Sequence, residues 1–240
     1  MIKIGILGYA GRMGQLIAEE VAANGACKLV GGADRILKPD QKKSEGVLLT
    51  ANAEEVIAIS DVVINFTIAE ATPDFAKLAV KHKKAFMTGA TGLNAKGVDA
   101  LKQAAKDIPL LYAPNTSLSL AAMKQITTLA AKLLGSFDYD VHIHDEHHRM
   151  KKDAPSGTAT ALGEAVTRGN GGKKKPAFSA VRAGAIVGNH EIAFIGQGET
   201  IRLQHSVTDR RLFARGAVEA AVWLNGKPAG FYGMDDVLGI

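Results

Sequence analysis

Positions 8–14 read GYAGRMG, directly after a short apolar run and directly before a helical pattern, and this junction constrains the fold more than any other feature of the chain. Glycines at Gly8, Gly11 and Gly14 allow a tight turn with positive φ, let backbone N–H groups approach a pyrophosphate, and let the helix pack close to the sheet. The N-terminus of that helix, where Arg12 and Met13 stand, then faces the anion. The spacing is GxxGxxG, one residue longer than the usual GxGxxG, so the surroundings carry the argument. A second strand ends at Asp34, 20 residues beyond Gly14, where a carboxylate reaches an adenosine ribose hydroxyl. Arg35 beside it can pair with a 2′-phosphate instead. Gly8, Gly11, Arg12, Met13, Gly14, Asp34 and Arg35 are thus the expected cofactor-binding set, for NADH, NADPH or both.

The same grammar continues through the first half. Strands are predicted at Lys3–Leu7, Lys28–Ala33, Val62–Phe66, Ala85–Thr88 and Leu110–Ala113, alternating with helical segments Gln15–Asn24, Ala69–His82 and Ala95–Asp107. Parallel neighbours need long crossovers, so the alternation predicts an α/β, Rossmann-type doubly wound parallel sheet.

After Asn115 the character changes. A helix over Ser117–Leu134 leads into Asp138–His144, where Tyr139, Val141 and Ile143 alternate with polar residues. A helix from about Ser156 to Arg168 follows, then the exposed turn GNGGKKKP and strands at Ser179–Arg182, Glu191–Ile195 and Thr200–Ser206. Closely spaced strands argue for a second, α+β domain on an open mixed sheet. A last helix, Leu212–Leu224, precedes a short tail. The change of character near residue 116 separates a dinucleotide domain from a second domain.

The densest chemistry lies in IHDEHHRMKKDAPSGTAT, residues 143–160. Pro155 and Ser156 read as a helix start, with Ser156 as N-cap and the amides of Gly157 and Thr158 in the first turn. Such amides, a hydroxyl and a lysine from Lys151 or Lys152 make a carboxylate receptor. His147 and His148 supply a proton near neutral pH. A metal reading from His142, His144, His147 and His148 lacks an HExxH motif and leaves the dinucleotide loop unexplained, so no metal is expected.

Composition narrows the remaining classes. Lys+Arg 29 against Asp+Glu 24 gives a formal charge of +5, and aromatics are only 5% of residues. Without aromatics interleaved among the basic residues there is no stacking platform for single strands, and no nucleic-acid partner is expected. No apolar run is long enough for a membrane span, and Gly5, Gly8, Gly11 and Arg12 interrupt any signal-peptide core. Cys27 is the single cysteine, which fits a reducing, cytoplasmic setting.

The block EHHRMKKDAPSGTA resembles the signature of the 4-hydroxy-tetrahydrodipicolinate reductase (dihydrodipicolinate reductase) family. GYAGRMG, NFT at Asn65–Thr67, TGATG at Thr88–Gly92, APNTS at Ala113–Ser117, RAGAIVGNHEI at Arg182–Ile192 and the tail FYGMDDVL fall in family order. The resemblance implies reduction of the cyclic product of the preceding synthase to tetrahydrodipicolinate by NADH or NADPH, in diaminopimelate and lysine biosynthesis, by a homotetramer. It implies a dinucleotide-binding domain over 1–116, completed by 214–240, and a substrate-binding and tetramerisation domain over 117–213. It implies that His147 is the general acid, that Lys151 pairs with a substrate carboxylate and that His148 assists binding. Gly157 and Thr158, with Ser156 at the same turn, would hold the other carboxylate. Phe66, Thr67, Gly89, Thr91, Ala113 and Asn115 would line the nicotinamide half of the cofactor site. Two other readings are a related amino-acid dehydrogenase, which has no need of the HHRMKKDAPSGT block, and a dinucleotide sensor, which has no need of an acid.

Overall fold

The protein is described here from a computed structural model covering residues 1–37 and 46–240. It divides into two compact units, Met1–Ser117 with Arg211–Ile240, and Leu118–Arg210.

The first unit is built on β1 (Ile2–Leu7), α1 (Arg12–Ala23), β2 (Cys27–Ala33), β3 (Leu48–Thr50), α2 (Ala53–Ile59) and β4 (Val62–Asn65). It continues with α3 (Thr72–Lys81), β5 (Ala85–Thr88), α4 (Ala95–Ala104) and β6 (Pro109–Tyr112). The seven-stranded sheet has the order β11-β6-β5-β4-β1-β2-β3, where β11 is Gly230–Tyr232, and every pairing is parallel. Strand β4 is buried at all four positions and β5 likewise. Covered on both faces, such strands read as unbroken apolar runs, which is why they were legible. β1 pairs with β2 on one side and β4 on the other, so the loop after it opens where strand order reverses.

Three differences from expectation have local causes. The helix expected over Ala69–His82 is a 3-10 turn, Ala69–Ala71, followed by α3, because Pro73 at the start of α3 has no N–H to continue an earlier ladder. β3 and α2 were not anticipated; three and seven residues are too short to display a period. The tail after the last helix is not irregular: β11 adds to the sheet edge beside β6, and a short helix, Met234–Val237, follows.

The second unit comprises α5 (Leu118–Leu134), β7 (Asp140–His147), α6 (Gly157–Asn170), β8 (Ala177–Arg182), β9 (Gly188–Ile195) and β10 (Thr200–Val207). Its sheet runs β10-β9-β7-β8, with β9 antiparallel to both neighbours and β7 parallel to β8. Val141, Ile143, Ile192 and Phe194 point to one face, where they pack with Leu120, Met123, Leu162 and Val166 of the two helices. A Cβ on Gly169 would lie 2.2 Å from the carbonyl oxygen of Thr128, so glycine is what lets α6 approach α5 this closely. Helix α7 (Arg211–Leu224) returns the chain to the first unit and buries an alanine-rich face.

Candidate active site

The first unit builds its glycine loop, the candidate anion cradle, from backbone alone. Gly8 has φ +82°, and Gly11 N–H donates to its carbonyl at 3.1 Å, closing the turn. A Cβ on Gly14 would meet the Gly8 oxygen at 2.2 Å and the Tyr9 oxygen at 2.6 Å, so the first turn of α1 sits against the loop only because position 14 is glycine. Gly11 caps α1 without any side-chain bond, and no acid occupies the first turn, leaving the positive end of the helix for an anion.

A cleft of about 990 Å³ runs from Gly8, Ala10 and Gly11 past Asp34 and Arg35 to Phe66, Thr67 and Thr91. The Asp34 carboxylate accepts from Ala10 N (3.2 Å) and Ile36 N (3.3 Å), which fixes it at the rim. A second cavity of about 310 Å³ shares Phe66, Thr67 and Thr91 and adds Met13, Gly89 and Asn115. Three expected residues line neither: Arg12 is exposed at the start of α1, Ala113 is buried with its N–H on the Thr88 carbonyl, and Gly14 is buried in the first turn of α1. Gly14 lies behind the loop and shapes it.

Beneath this floor Asn65 does work that its sequence position did not disclose. Its buried amide donates to Thr72 Oγ1 (3.1 Å) and Thr88 Oγ1 (3.0 Å), and its carbonyl accepts from Thr67 Oγ1 (2.7 Å) and Thr67 N (3.3 Å). One side chain thus ties β4 to β5 and α3 and sets Thr67. The Phe66 ring lies flush on Gly89, where a Cβ would come within 2.3 Å of it.

The second unit gathers the polar stretch at the end of β7. Alternation along that strand sends Asp145 and His147 to the buried face, and His142 and His144 to the other, so these histidines do not form one cluster. Asp145 is fully buried. Its Oδ2 accepts from Ser156 N (2.9 Å) and lies 2.7 Å from Arg182 Nη2, while its Oδ1 accepts from Ser156 Oγ (2.8 Å). Burial is the largest influence on this carboxyl and pushes its pKa up, but the bonds from Arg182 and Ser156 outweigh it and hold the group below its ordinary value. The Ser156 hydroxyl also caps α6 by accepting from Ala159 N (3.1 Å), so it is committed to structure.

His147 places Nδ1 2.8 Å from Asp145 Oδ1. Burial lowers its pKa first; Asp145 opposes, and the Lys151 and Arg182 charges lower it further. His190, from β9, meets the His147 ring edge-on with centroids 5.2 Å apart. It is 5% exposed, and burial, followed by the neighbouring His147, pushes its pKa down to about 4. Lys151 sits 2.9 Å from Asp153 Oδ2, and His148 is half-buried. Gly157, at the first position of α6, is exposed, and its amide precedes any intrahelical acceptor; Thr158 follows it in the same turn.

Asp145, His147 and His190 bring one ligand atom each to within 4.8 Å of one another. Their surroundings suit a proton better than a metal ion, since both oxygens of Asp145 already accept bonds and the Arg182 cation abuts it.

Two family profiles cover nearly the whole chain: "Dihydrodipicolinate reductase, N-terminus" over residues 2–116 and "Dihydrodipicolinate reductase, C-terminus" over residues 119–238. This chain belongs to the dihydrodipicolinate reductase family. It is 39% identical to the 4-hydroxy-tetrahydrodipicolinate reductase of Campylobacter curvus, with all of both chains covered. It is 40% identical to that of Zymomonas mobilis subsp. mobilis, covering 98% of the relative. Among solved structures it is similar to the dipicolinate-bound dihydrodipicolinate reductase of Paenisporosarcina sp. TG-14, with TM-score 0.84, 23% identity and 98% and 99% of the two chains covered. A scyllo-inositol dehydrogenase from Lactobacillus casei with bound NAD(H) shares the fold at TM-score 0.63 and 15% identity, over 99% and 93% of the chains. As a member of this family the chain is an oxidoreductase with a Rossmann-like nucleotide-binding unit.

Sequence reasoning named His147, Lys151, Gly157 and Thr158 as candidates but not Asp145, Arg182 and His190, which surround the first of these. A signal existed in the i, i+2 spacing of Asp145 and His147, but the strand was expected to end at His144; only its continuation to His147 in β7 puts the two on one face. For Arg182 and His190 the only pointer was their presence in the block RAGAIVGNHEI.

Proposed function

We propose that this chain catalyses NADH- or NADPH-dependent reduction of 4-hydroxy-tetrahydrodipicolinate, through dihydrodipicolinate, to tetrahydrodipicolinate, in the diaminopimelate route to lysine. The observation that carries the reading is the position of His147: a mostly buried imidazole backed by a carboxylate, with Lys151 and the N-terminus of α6 close by in sequence and structure. That combination suits a dicarboxylic ring that must be protonated while its carboxylates are held.

The glycine cradle, Asp34 and the cavity at Phe66, Thr67, Gly89 and Asn115 would hold the dinucleotide; a Cβ would fill the space at Gly8 or Gly14. When bound, the reduced nicotinamide supplies the hydride. His147 delivers the proton. Lys151 exchanges Asp153 for a substrate carboxylate, assisted by His148, and the first-turn amides of Gly157 and Thr158 take the other. Ser156 orients this turn and Asp145 rather than touching substrate. Arg35 is exposed at the cleft beside Asp34, an arrangement that accepts a free ribose hydroxyl at one group and a 2′-phosphate at the other.

The assembly we propose is a cytoplasmic homotetramer. The sheet face opposite α5 and α6 shows Val181 and Ile195 beside paired polar groups such as His144–Ser179 and Glu146–Asn189, a surface suited to another copy. No helix among the described residues is long and apolar enough to cross a membrane.

The test is oxidation of NADH and of NADPH with freshly made synthase product, in separate assays. Oxidation that requires both substrate and enzyme supports the reaction, and Arg35→Ala should lower the NADPH rate relative to the NADH rate. Cofactor binding without turnover would overturn it in favour of a sensor.

A further inference from the structure

Of the two ring nitrogens of His147, one is enclosed and the other is open. Nδ1 faces Asp145 Oδ1 at 2.8 Å, within reach of a charge-assisted contact though out of line for a hydrogen bond. Nε2 faces Gly188, the first residue of β9, where an added Cβ would lie 3.1 Å from Nε2 and 3.5 Å from Cδ2. Between the two edges His190 packs edge-on at 5.2 Å, its Nε2 3.6 Å from the same Asp145 oxygen. His190 Nδ1 and Nε2 are buried and make no hydrogen bond.

We propose that Asp145, His190 and Gly188 are positioning residues that decide which nitrogen of His147 exchanges its proton: Asp145 keeps a proton on Nδ1, His190 holds the ring plane, and the bare backbone of Gly188 leaves Nε2 open to substrate. The inference rests on His147 being the acid. The proton given to the substrate leaves from Nε2, and the neutral ring keeps its Nδ1 proton against Asp145 until solvent recharges Nε2.

The hydrogen bonding of Asp145 makes this testable with one atom. Its Oδ2 takes two groups that can only donate, Ser156 N and Arg182 Nη2, whereas the Ser156 hydroxyl that donates to Oδ1 can turn and accept instead. In Asp145→Asn the amide carbonyl must therefore occupy that side, which turns the NH₂ toward His147 Nδ1. An N–H donor there forces the proton of neutral His147 onto Nε2. The other charged groups acting on His147, namely Lys151, Arg182 and Asp153, are unchanged by the substitution.

The experiment is nitrogen-15 NMR of histidine-labelled protein, with His147 assigned by its loss in His147→Gln. It is run at about pH 8, where a histidine lowered below 6.5 is neutral. The wild type should show the Nδ1–H tautomer and Asp145→Asn the Nε2–H tautomer, with kcat lowered about 10²-fold or more and cofactor affinity unchanged. Gly188→Ala, which adds one methyl at a backbone of ordinary φ, should keep the Nδ1–H tautomer and lower kcat about tenfold. If Asp145→Asn does not fold, the wild-type tautomer and Gly188→Ala still decide. An Nε2–H wild type, or full activity in Gly188→Ala, overturns the inference while leaving His147 as the acid. A His147→Gln variant with unchanged kcat overturns the acid itself.

Discussion

Asp145 Oδ1 lies 2.8 Å from His147 Nδ1, a contact between two residues on the same face of one strand. Strand geometry alone brings them to the same side; the anchoring of Asp145 by Arg182 and Ser156 makes it a fixed negative charge. If His147 donates its proton in the transition state, His147→Gln should lower kcat by roughly 10²–10⁴ and leave cofactor affinity unaltered. Steady-state kinetics with a separate cofactor titration reads both.

In the proposed reaction Lys151 would act on substrate and on His147 together. Lys151→Ala should raise KM for the dicarboxylate, because it removes a charge that holds the ground state. It should also move the falling, high-pH limb of kcat/KM upward: the Lys151 charge is one of the influences that lower the His147 pKa, and removing a cation favours the imidazolium. A limb that stays in place while KM rises would assign Lys151 to binding alone. An unaltered KM would direct attention to Lys152.

His190 makes stability depend on pH in a definite direction. Its pKa is pushed from 6.5 down to about 4 in the folded protein, so the unfolded chain binds the proton more readily. The stability linked to neutral His190 is present above the ordinary value and is lost as pH falls through the folded one, about 2 kcal/mol of it between pH 7 and pH 5. Urea unfolding should show wild type losing that much more than His190→Gln over the interval; equal losses would refute it.

Gly14→Ala should disable the cofactor cradle. Its methyl would lie 2.2 Å from one backbone oxygen and 2.6 Å from another, and backbone cannot swing aside as a side chain can. We expect destabilisation of about 1–3 kcal/mol and at least a tenfold weaker dinucleotide complex, measured by thermal unfolding and NADH fluorescence titration. Gly11→Ala meets only one atom, the Gly8 oxygen at 3.2 Å, and should be milder.

Much of the architecture was legible because its signals are local and repeated. β4 and β5 are covered on both faces and read as apolar runs, β7 is covered on one face and alternates, and α6 announces itself through Pro155 and the Ser156 cap, while its last two residues, Gly169 and Asn170, read as part of the turn that follows. β3 and β11 were hidden because three residues carry no period and their partners supply the reason to be extended. Asn65 read as one letter of a motif, yet its contacts reach Thr72 and Thr88, seven and 23 residues away.

The sequence by itself determined the chemistry on offer: a glycine loop that can approach an anion, an acid and a base for the ribose end, and histidines and lysines beside a capped helix start. These are properties of adjacent residues, set by φ/ψ freedom, capping and side-chain type. Tertiary structure alone decided how His147 can behave. Arg182 and His190 stand 37 and 45 residues from Asp145, and only the pairing of β8 and β9 with β7 brings them to it. Burial and fixed charge, which set a proton's affinity and its place on the ring, are made by residues distant in sequence, so no window of sequence contains them.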